Sequence, residues 1–595
     1  MSISALRSDA LLAVAATLLV LALQVFSGFK TLWDFGGDND SLLRLVEIRD
    51  LIGGQGWFDL HQYRMGPEGG FVMHWSRLVD APLAGIVLVV AAVTGSMATG
   101  EIVAQILWPA LLFCLTLFFI LRMARLFDGD RAVLPAAVVG AAALHFIGVF
   151  LPGVLDHHNI QLMLASAALY ALLEAPQHRL AAGLAGVCSA LMLAVGMETA
   201  PYVATLGLCV AGLFILRGAE EGKAARDFGL GFAGVSALVF FATVPGSEWG
   251  QAQCDAFSLT QFALAALAGL GLALVVSVRF AASTPARRLL SLGLLGAACV
   301  LVVAWAFPQC LASPYAGLDP RLKADWLDQV SEARSLFQLM VREPEVVVAR
   351  YVTPLLAIIL LAHRLRRSGW RRQDVLIGAA LLTAFAVSVW QVRGSTFSIA
   401  FAVVPLSAWV GEWRQRAATN PSGRASAGMV AAWLLSLNAS WTGAAAAASL
   451  ALEDEAVTRQ NVLAQATSCT AAADYPTLAA QPATMVLASS NLGSPILAYS
   501  GHRVFAGPYH RNIAGNLLAL DALMGRPAEA ERIVREHGVG LVVFCRGNPE
   551  SQFLSERAPD GLLAAMMRGA VPEWLEVLPE TAGQPLELYR VRPRS

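Results

Sequence analysis

Apolar residues fall along this chain in blocks of roughly twenty, each closed by a short polar or basic loop, the length a helix needs to cross about 30 Å of hydrocarbon. Such blocks cover residues 11–29, 101–121, 132–152, 159–175, 180–197, 201–216, 228–244, 258–278, 289–307, 350–363, 374–391, 396–411 and 427–450. They predict a polytopic α-helical membrane protein with about thirteen transmembrane helices. The first block follows a short leader with one Arg, has no small-residue cleavage site after it and is too long for a signal-peptide core, so it reads as the first crossing.

Loop charge sets the expected orientation. With the N-terminus in the cytoplasm, the basic clusters around Arg122, Arg179, Arg226, Arg287, Arg366 and Arg416 all fall on the cytoplasmic side, as the positive-inside rule requires. Residues 81–97 (APLAGIVLVVAAVTGSM) are apolar enough to cross, but counting them would reverse every later loop. They are therefore expected to form a helix lying on or dipping into the outer face. An odd number of crossings then puts the C-terminus outside, which describes a multi-pass inner (cytoplasmic) membrane protein with its C-terminal part in the periplasm.

After residue 452 the pattern changes to short alternating runs such as Met485-Val-Leu-Ala, Gly540-Leu-Val-Val-Phe and a final LELYRV, with a helix-like AEAERIVREHG between them. The expected organisation is a transmembrane domain over 1–452, with outer loops at 29–100 and 308–349, and a small extracytoplasmic α/β domain over 453–595. Composition agrees, since the chain is 56% hydrophobic and 14% charged, against about a quarter charged in soluble domains. A net charge of −1 gives no support to a nucleic-acid partner. Of eight cysteines, Cys254, Cys310, Cys469 and Cys545 fall on the expected outer side. An oxidising compartment permits disulfides there, and although sequence leaves the pairing open, the local choice is Cys254 with Cys310 and Cys469 with Cys545.

Polar groups with chemical potential collect on the same expected face. The stretch WDFGGDNDSLLRLVEIRDLIGG carries Asp38 and Asp40 where the chain leaves the first crossing, then Arg49 on a polar, helix-capable run. Asp156-His157-His158-Asn159 sits at the mouth of a span, and a carboxylate with an imidazole two positions on suits a divalent cation. On spacing alone this run reads equally well as a helix end meeting water. Glu332 lies in the long outer loop, where lids and binding elements are common. Arg393 is the lone charge between two spans and suits either a phosphate or the headgroup layer. Glu198 stands near the outer end of another span, and Tyr509-His510-Arg511-Asn512 in the terminal domain reads as a surface turn able to meet an anion.

Four of these motifs, in order, resemble a known family. Asn39-Asp40 followed by Ile48-Arg49-Asp50-Leu51-Ile52-Gly53-Gly54 resembles the first outer loop of the single-subunit bacterial oligosaccharyltransferases and the eukaryotic catalytic subunit. Asp156-His157-His158 resembles the second acidic motif, especially in its archaeal form; Val330-Ser331-Glu332 resembles the SVSE motif; and Arg393 occupies the place of the pyrophosphate-binding Arg. The resemblance covers roughly residues 1–450. It implies a GT-C fold and a metal-dependent transferase that takes a glycan from a polyprenyl (pyro)phosphate carrier. By matching position, Asp40, Asp156 and Glu332 would be the catalytic acids, and Asp40, Asp156 and His158 would hold Mn²⁺ or Mg²⁺. Arg393 would bind the donor phosphates, with Asp38, His157, Glu198 and Arg49 as candidate site walls. The chain departs from the family in one respect: no two of its 14 Trp residues are adjacent, so the Trp-Trp-Asp motif that reads the glycosylation sequon is missing. The expected acceptor is therefore open among protein, lipid and polysaccharide. The alternatives are a GT-C transferase with a lipid-monophosphate sugar donor, acting on lipid A, a polysaccharide or protein hydroxyls, and a transporter or flippase of lipid-linked sugars. Transport would favour ionisable groups near mid-membrane.

Overall fold

The computed structural model describes residues 3–36, 38–313, 315–452 and 468–593. Among them, 11 helices are long and apolar enough to cross a membrane. Shorter apolar helices, His158–Glu174, Ala181–Val195 and the broken pair Gly423–Ser436 and Asn438–Leu452, complete the bundle. The protein is a polytopic α-helical membrane protein with about thirteen crossings and a small C-terminal α/β part.

The 11 include Arg77–Thr94, which does not change sides. Asp9, near the start of the first helix Ile3–Phe26, pairs with Arg122 at 3.1 Å and Arg125 at 2.5 Å, so the end of helix Met97–Asp128 sits beside the start of the first. Towards its other end, the Gly153 N–H donates to the Gln105 carbonyl at 2.9 Å. A 32-residue helix is about 48 Å long at 1.5 Å per residue, well beyond what crossing needs. Its first turns project past the loop at Gly153, and Arg77–Thr94 folds back against them. Gly100 passes so near Val87 that a Cβ there would lie 2.5 Å from the Val87 carbonyl oxygen.

Packing follows the chemistry of the spans. The helix over 392–419 is central, with 94% of its most apolar window buried, whereas Pro285–Ala306 is peripheral with none. Helices Ala219–Thr243 and Leu259–Ser277 approach through Gly229 and Gly269, where a Cβ on either would stand 2.4 or 2.5 Å from the other's carbonyl oxygen. Small residues permit this where water supplies no driving force between helices.

The C-terminal part holds a five-stranded sheet whose strands lie in the order Arg503–Val504, Met485–Leu487, Val539–Cys545, Leu586–Val591, Leu575–Val577. Strands β3 (Met485–Leu487), β4 (Arg503–Val504) and β5 (Val539–Cys545) run parallel, while β6 (Leu575–Val577) and β7 (Leu586–Val591) close it antiparallel. The sequence-predicted strands and the Pro527–Glu536 helix are all present, and the expected boundary at 453 lies outside the described residues. Both local cysteine pairs form disulfides, Cys254–Cys310 and Cys469–Cys545. This part is not a separate bead. Leu42, Leu43, Val46, Met65 and Trp75 of the first outer loop share one hydrophobic core with Val486, Ile496 and Tyr509.

Beneath that shared core lies a buried ion cluster. Arg44, 1% exposed, donates to Asp80 at 2.7 Å, Arg77 reaches the other Asp80 oxygen at 3.1 Å, and the Arg44 guanidinium lies 4.2 Å from the Trp75 ring centre. Removing one partner of such a group strands the others in a low-dielectric site, which costs about 3–5 kcal/mol. Arg44→Leu should therefore lower the thermal unfolding midpoint of the detergent-solubilised protein markedly, and Arg44→Lys should recover part of the loss. An unchanged midpoint in Arg44→Leu would contradict this role.

Candidate active site

The site is assembled around a serine. Asp38 caps the helix Asn39–Ile52, accepting from the Ser41 N–H at 3.1 Å and from its hydroxyl at 2.6 Å. The same Ser41 oxygen accepts the N–H groups of Leu155 at 2.8 Å and Asp156 at 3.2 Å. One hydroxyl thus fixes the two acidic segments against each other. On the other side, the Tyr509 hydroxyl donates to the Asn39 carbonyl at 3.1 Å, so the C-terminal part also supports this turn.

Asp156 is gripped by both histidines. One oxygen lies 2.7 Å from His157 Nδ1 and the other 2.6 Å from His158 Nδ1, while His157 Nε2 reaches Glu198 at 2.6 Å. Gln161 donates to the same Glu198 oxygen at 2.8 Å. Burial works against its ionisation, but His158 and His157 beside it hold the Asp156 carboxyl well below the usual range. Burial likewise opposes charge on His157, yet Asp156 and Glu198 push it up to about 10.

Glu332 and Arg393 come from further along the chain. The Val392 N–H donates to the Arg334 carbonyl at 2.9 Å, which ties the turn bearing Arg393 to the long outer loop bearing Glu332. Arg393 is oriented by an Nε–H bond to Gln391 at 2.9 Å. The long loop is itself anchored, since Leu322 is fully buried in the C-terminal core and Asp325 accepts from Arg557 at 3.0 Å. Asp40, His157, His158, Glu198, Glu332 and Arg393 all line one cleft of ≈ 370 Å³. Asp38 and Asp156 brace it from behind.

The electrostatics of the cleft are unbalanced. Burial first, then Asp156, Asp38 and Glu332, push the Asp40 carboxyl up to about 8, and burial with Asp156 pushes Asp38 to about 6. Crowded carboxylates of this kind fit a divalent cation, which would offset their repulsion. The donor set fits too, because Asp156, His157 and His158 offer ligand atoms within 4.8 Å of one another and His158 Nε2 is buried with no hydrogen-bond partner among the described residues. Asp40 stands beside this trio rather than within it.

Two expectations need correction. Arg49 is not a wall of the cleft; it forms a forked pair with Glu101 at 2.8 and 2.7 Å and donates to the Ala498 carbonyl, docking the C-terminal part instead. The 509–512 run is not a free surface turn either. Tyr509 is 3% exposed, and His510 and Arg511 both bind Asp255 at the cleft wall. Sequence reading missed His74, Trp75, Asp255 and Tyr315, which also line the cleft. Each is isolated among apolar or small residues, and only the WSR run that caps helix Arg77–Thr94 through Ser76 hinted at order there.

No family model and no curated protein matches the chain. Solved structures do. The oligosaccharyltransferase of Archaeoglobus fulgidus in its apo form aligns over 91% of this chain and 69% of its own, with TM-score 0.65 and 16% identity. The same organism's AglB with an inhibitory peptide and dolichol-phosphate covers 96% and 72%, at 0.62 and 15%. Its form tethered to an acceptor peptide with an NVT sequon covers 94% and 71%, at 0.63 and 16%. The likeness establishes the fold: this chain folds as the Archaeoglobus fulgidus oligosaccharyltransferase does.

The raised Asp40 and Asp38 values have a consequence for the metal-free protein. A carboxyl whose folded pKa exceeds its unfolded value contributes stability that is full below the unfolded pKa and lost as pH rises through the folded one. In chelator, stability should therefore fall as pH climbs from about 4 to about 8, and Asp40→Asn should flatten that decline. Thermal unfolding between pH 5 and pH 8 checks this; a wild-type slope of opposite sign, or one unchanged in Asp40→Asn, would contradict it.

Proposed function

We propose that this chain is a metal-dependent membrane glycosyltransferase that moves a sugar or oligosaccharide from a polyprenyl phosphate or pyrophosphate carrier to an acceptor. The observation that carries the reading is convergence: four segments, at Asp40, Asp156, Glu332 and Arg393, meet at one cleft on one face of a GT-C bundle. The fold neighbours support it, since AglB is described with an inhibitory peptide and dolichol-phosphate, and the Archaeoglobus fulgidus oligosaccharyltransferase with a tethered acceptor peptide and with Zn and sulfate.

In this reading Asp156 and His158, with Asp40, hold the cation. A bound Mn²⁺ or Mg²⁺ supplies Lewis-acid neutralisation of phosphate charge, with Mn²⁺ favoured by an imidazole ligand. Arg393 presents its planar fork to the donor phosphates as negative charge builds on the leaving oxygen, and Gln391 keeps that fork aimed. Glu332 orients the acceptor nucleophile from the long loop. His157 braces Asp156 against Glu198. Without adjacent Trp residues, the acceptor is read as something other than a sequon Asn. The polar groups gather at one face instead of mid-membrane, which argues against transport.

The test uses protein in lipid nanodiscs with lipid-linked glycans extracted from its host, following release of the carrier phosphate. Release should need divalent metal and fall at least about a hundredfold in Asp156→Asn and in Arg393→Ala. Release that persists in chelator and in both variants would overturn the assignment, and movement of labelled lipid across the bilayer without release would make transport the better reading.

A further inference from the structure

A second group of metal-ligand type stands on the wall of the same cleft. His74 lies between β2 (Phe71–Val72) and helix Arg77–Thr94, Asp255 in the loop before helix Leu259–Ser277, and His510 in the C-terminal part. Each offers one ligand atom, and the three atoms lie within 4.8 Å of one another. The two imidazole rings are 4.6 Å apart between centres. Asp255 Oδ2 is 2.7 Å from His510 Nε2, and Arg511 clasps the carboxylate at 2.7 and 2.6 Å.

An ordinary ion-pair network explains His510, Asp255 and Arg511. It does not explain His74, whose Nδ1 is buried with no hydrogen-bond partner among the described residues. A buried imidazole nitrogen left unpaired costs free energy unless something satisfies it. Burial first, then His510 and Arg511 beside it, hold the His74 imidazole well below the ordinary histidine range. The carboxylate is pre-oriented as metal ligands usually are: Arg511 holds it from behind, and Gln253 in turn accepts from Arg511 at 2.9 Å. The backbone beside Asp255 is pinned by the Cys254–Cys310 disulfide.

We propose that His74, Asp255 and His510 form a zinc site, separate from the Asp156 group, that ties the C-terminal part to two outer loops. Two imidazoles and one carboxylate are a common zinc donor set, with a fourth position left for water. The ion brings together segments about 180 and 255 residues apart in sequence. It serves the fold and the wall of the cleft, and the inference does not depend on which reaction the cleft performs.

Cobalt is the probe, because Co²⁺ bound to histidine and carboxylate in a four-coordinate site absorbs visibly. The purified full chain, carrying Asp156→Asn and His158→Gln to remove the other group, is stripped with chelator and titrated with Co²⁺, then with Zn²⁺ in competition. One equivalent should bind with a visible band, be displaced by Zn²⁺, and raise the thermal unfolding midpoint. His74→Gln and His510→Gln, each added singly, should weaken binding at least about tenfold and abolish the stabilisation. The proposal is overturned if the background protein takes up no Co²⁺, or if His74→Gln, which leaves the Asp255–Arg511 pair intact, binds as the background does. Should His510→Gln not fold, His74→Gln decides the matter alone.

Discussion

The Ser41 hydroxyl is the constraint on which the cleft depends. It donates to Asp38 and accepts two backbone N–H groups from the segment at Asp156, so two acidic stretches more than a hundred residues apart are set by one oxygen. Without it, nothing else in the described structure links the helix cap at Asp38 directly to the Asp156 backbone. The like charges on either side would favour separation, since burial and mutual repulsion already push Asp40 and Asp38 upward. A neutral hydroxyl that satisfies donors and an acceptor at once holds such a pair together without adding charge.

Around that point the molecule is built as a body and a cap sharing one core. The first outer loop contributes Leu43, Val46 and Met65 to the same buried cluster as Val486 and Ile496, so the cap cannot shift without disturbing the helix that carries Asp40. The long outer loop is fastened on two sides, by Leu322 in the cap and by the Arg334 carbonyl at the turn bearing Arg393. Precise placement of polar groups by rigid elements and their hydrogen-bonded supports is what the proposed transfer would demand.

Much of this was legible in the chain because local patterns encode it. Span lengths and loop charges give the bundle and keep residues 81–97 from counting as a crossing, and the structure supplies the physical reason in the back-folded hairpin at Gly100. The acidic motifs, Glu332 and Arg393 were visible because each is a polar island between apolar stretches, and the fold brings them to one cleft. What escaped was long-range. Nothing near Asp255 announces that it meets His74 and His510, and a lone polar residue in a loop carries no periodic signal. Arg49 misled for a related reason: it belongs to a polar run beside Asp40, but helix geometry turns it towards Glu101. The trio of ligand atoms includes His157 because both histidines reach the same carboxylate.

The central claim is that crowded carboxylates at Asp40 and Asp156 exist to hold a divalent cation. Electron paramagnetic resonance of Mn²⁺ titrated into the chelator-stripped protein measures this without any substrate. In a His74→Gln background, which takes a ligand from the other group, the account predicts a site whose affinity falls at least about tenfold in Asp40→Asn and in Asp156→Asn while the protein stays folded. Mn²⁺ binding that is absent in that background, or equally tight in both variants, would contradict it.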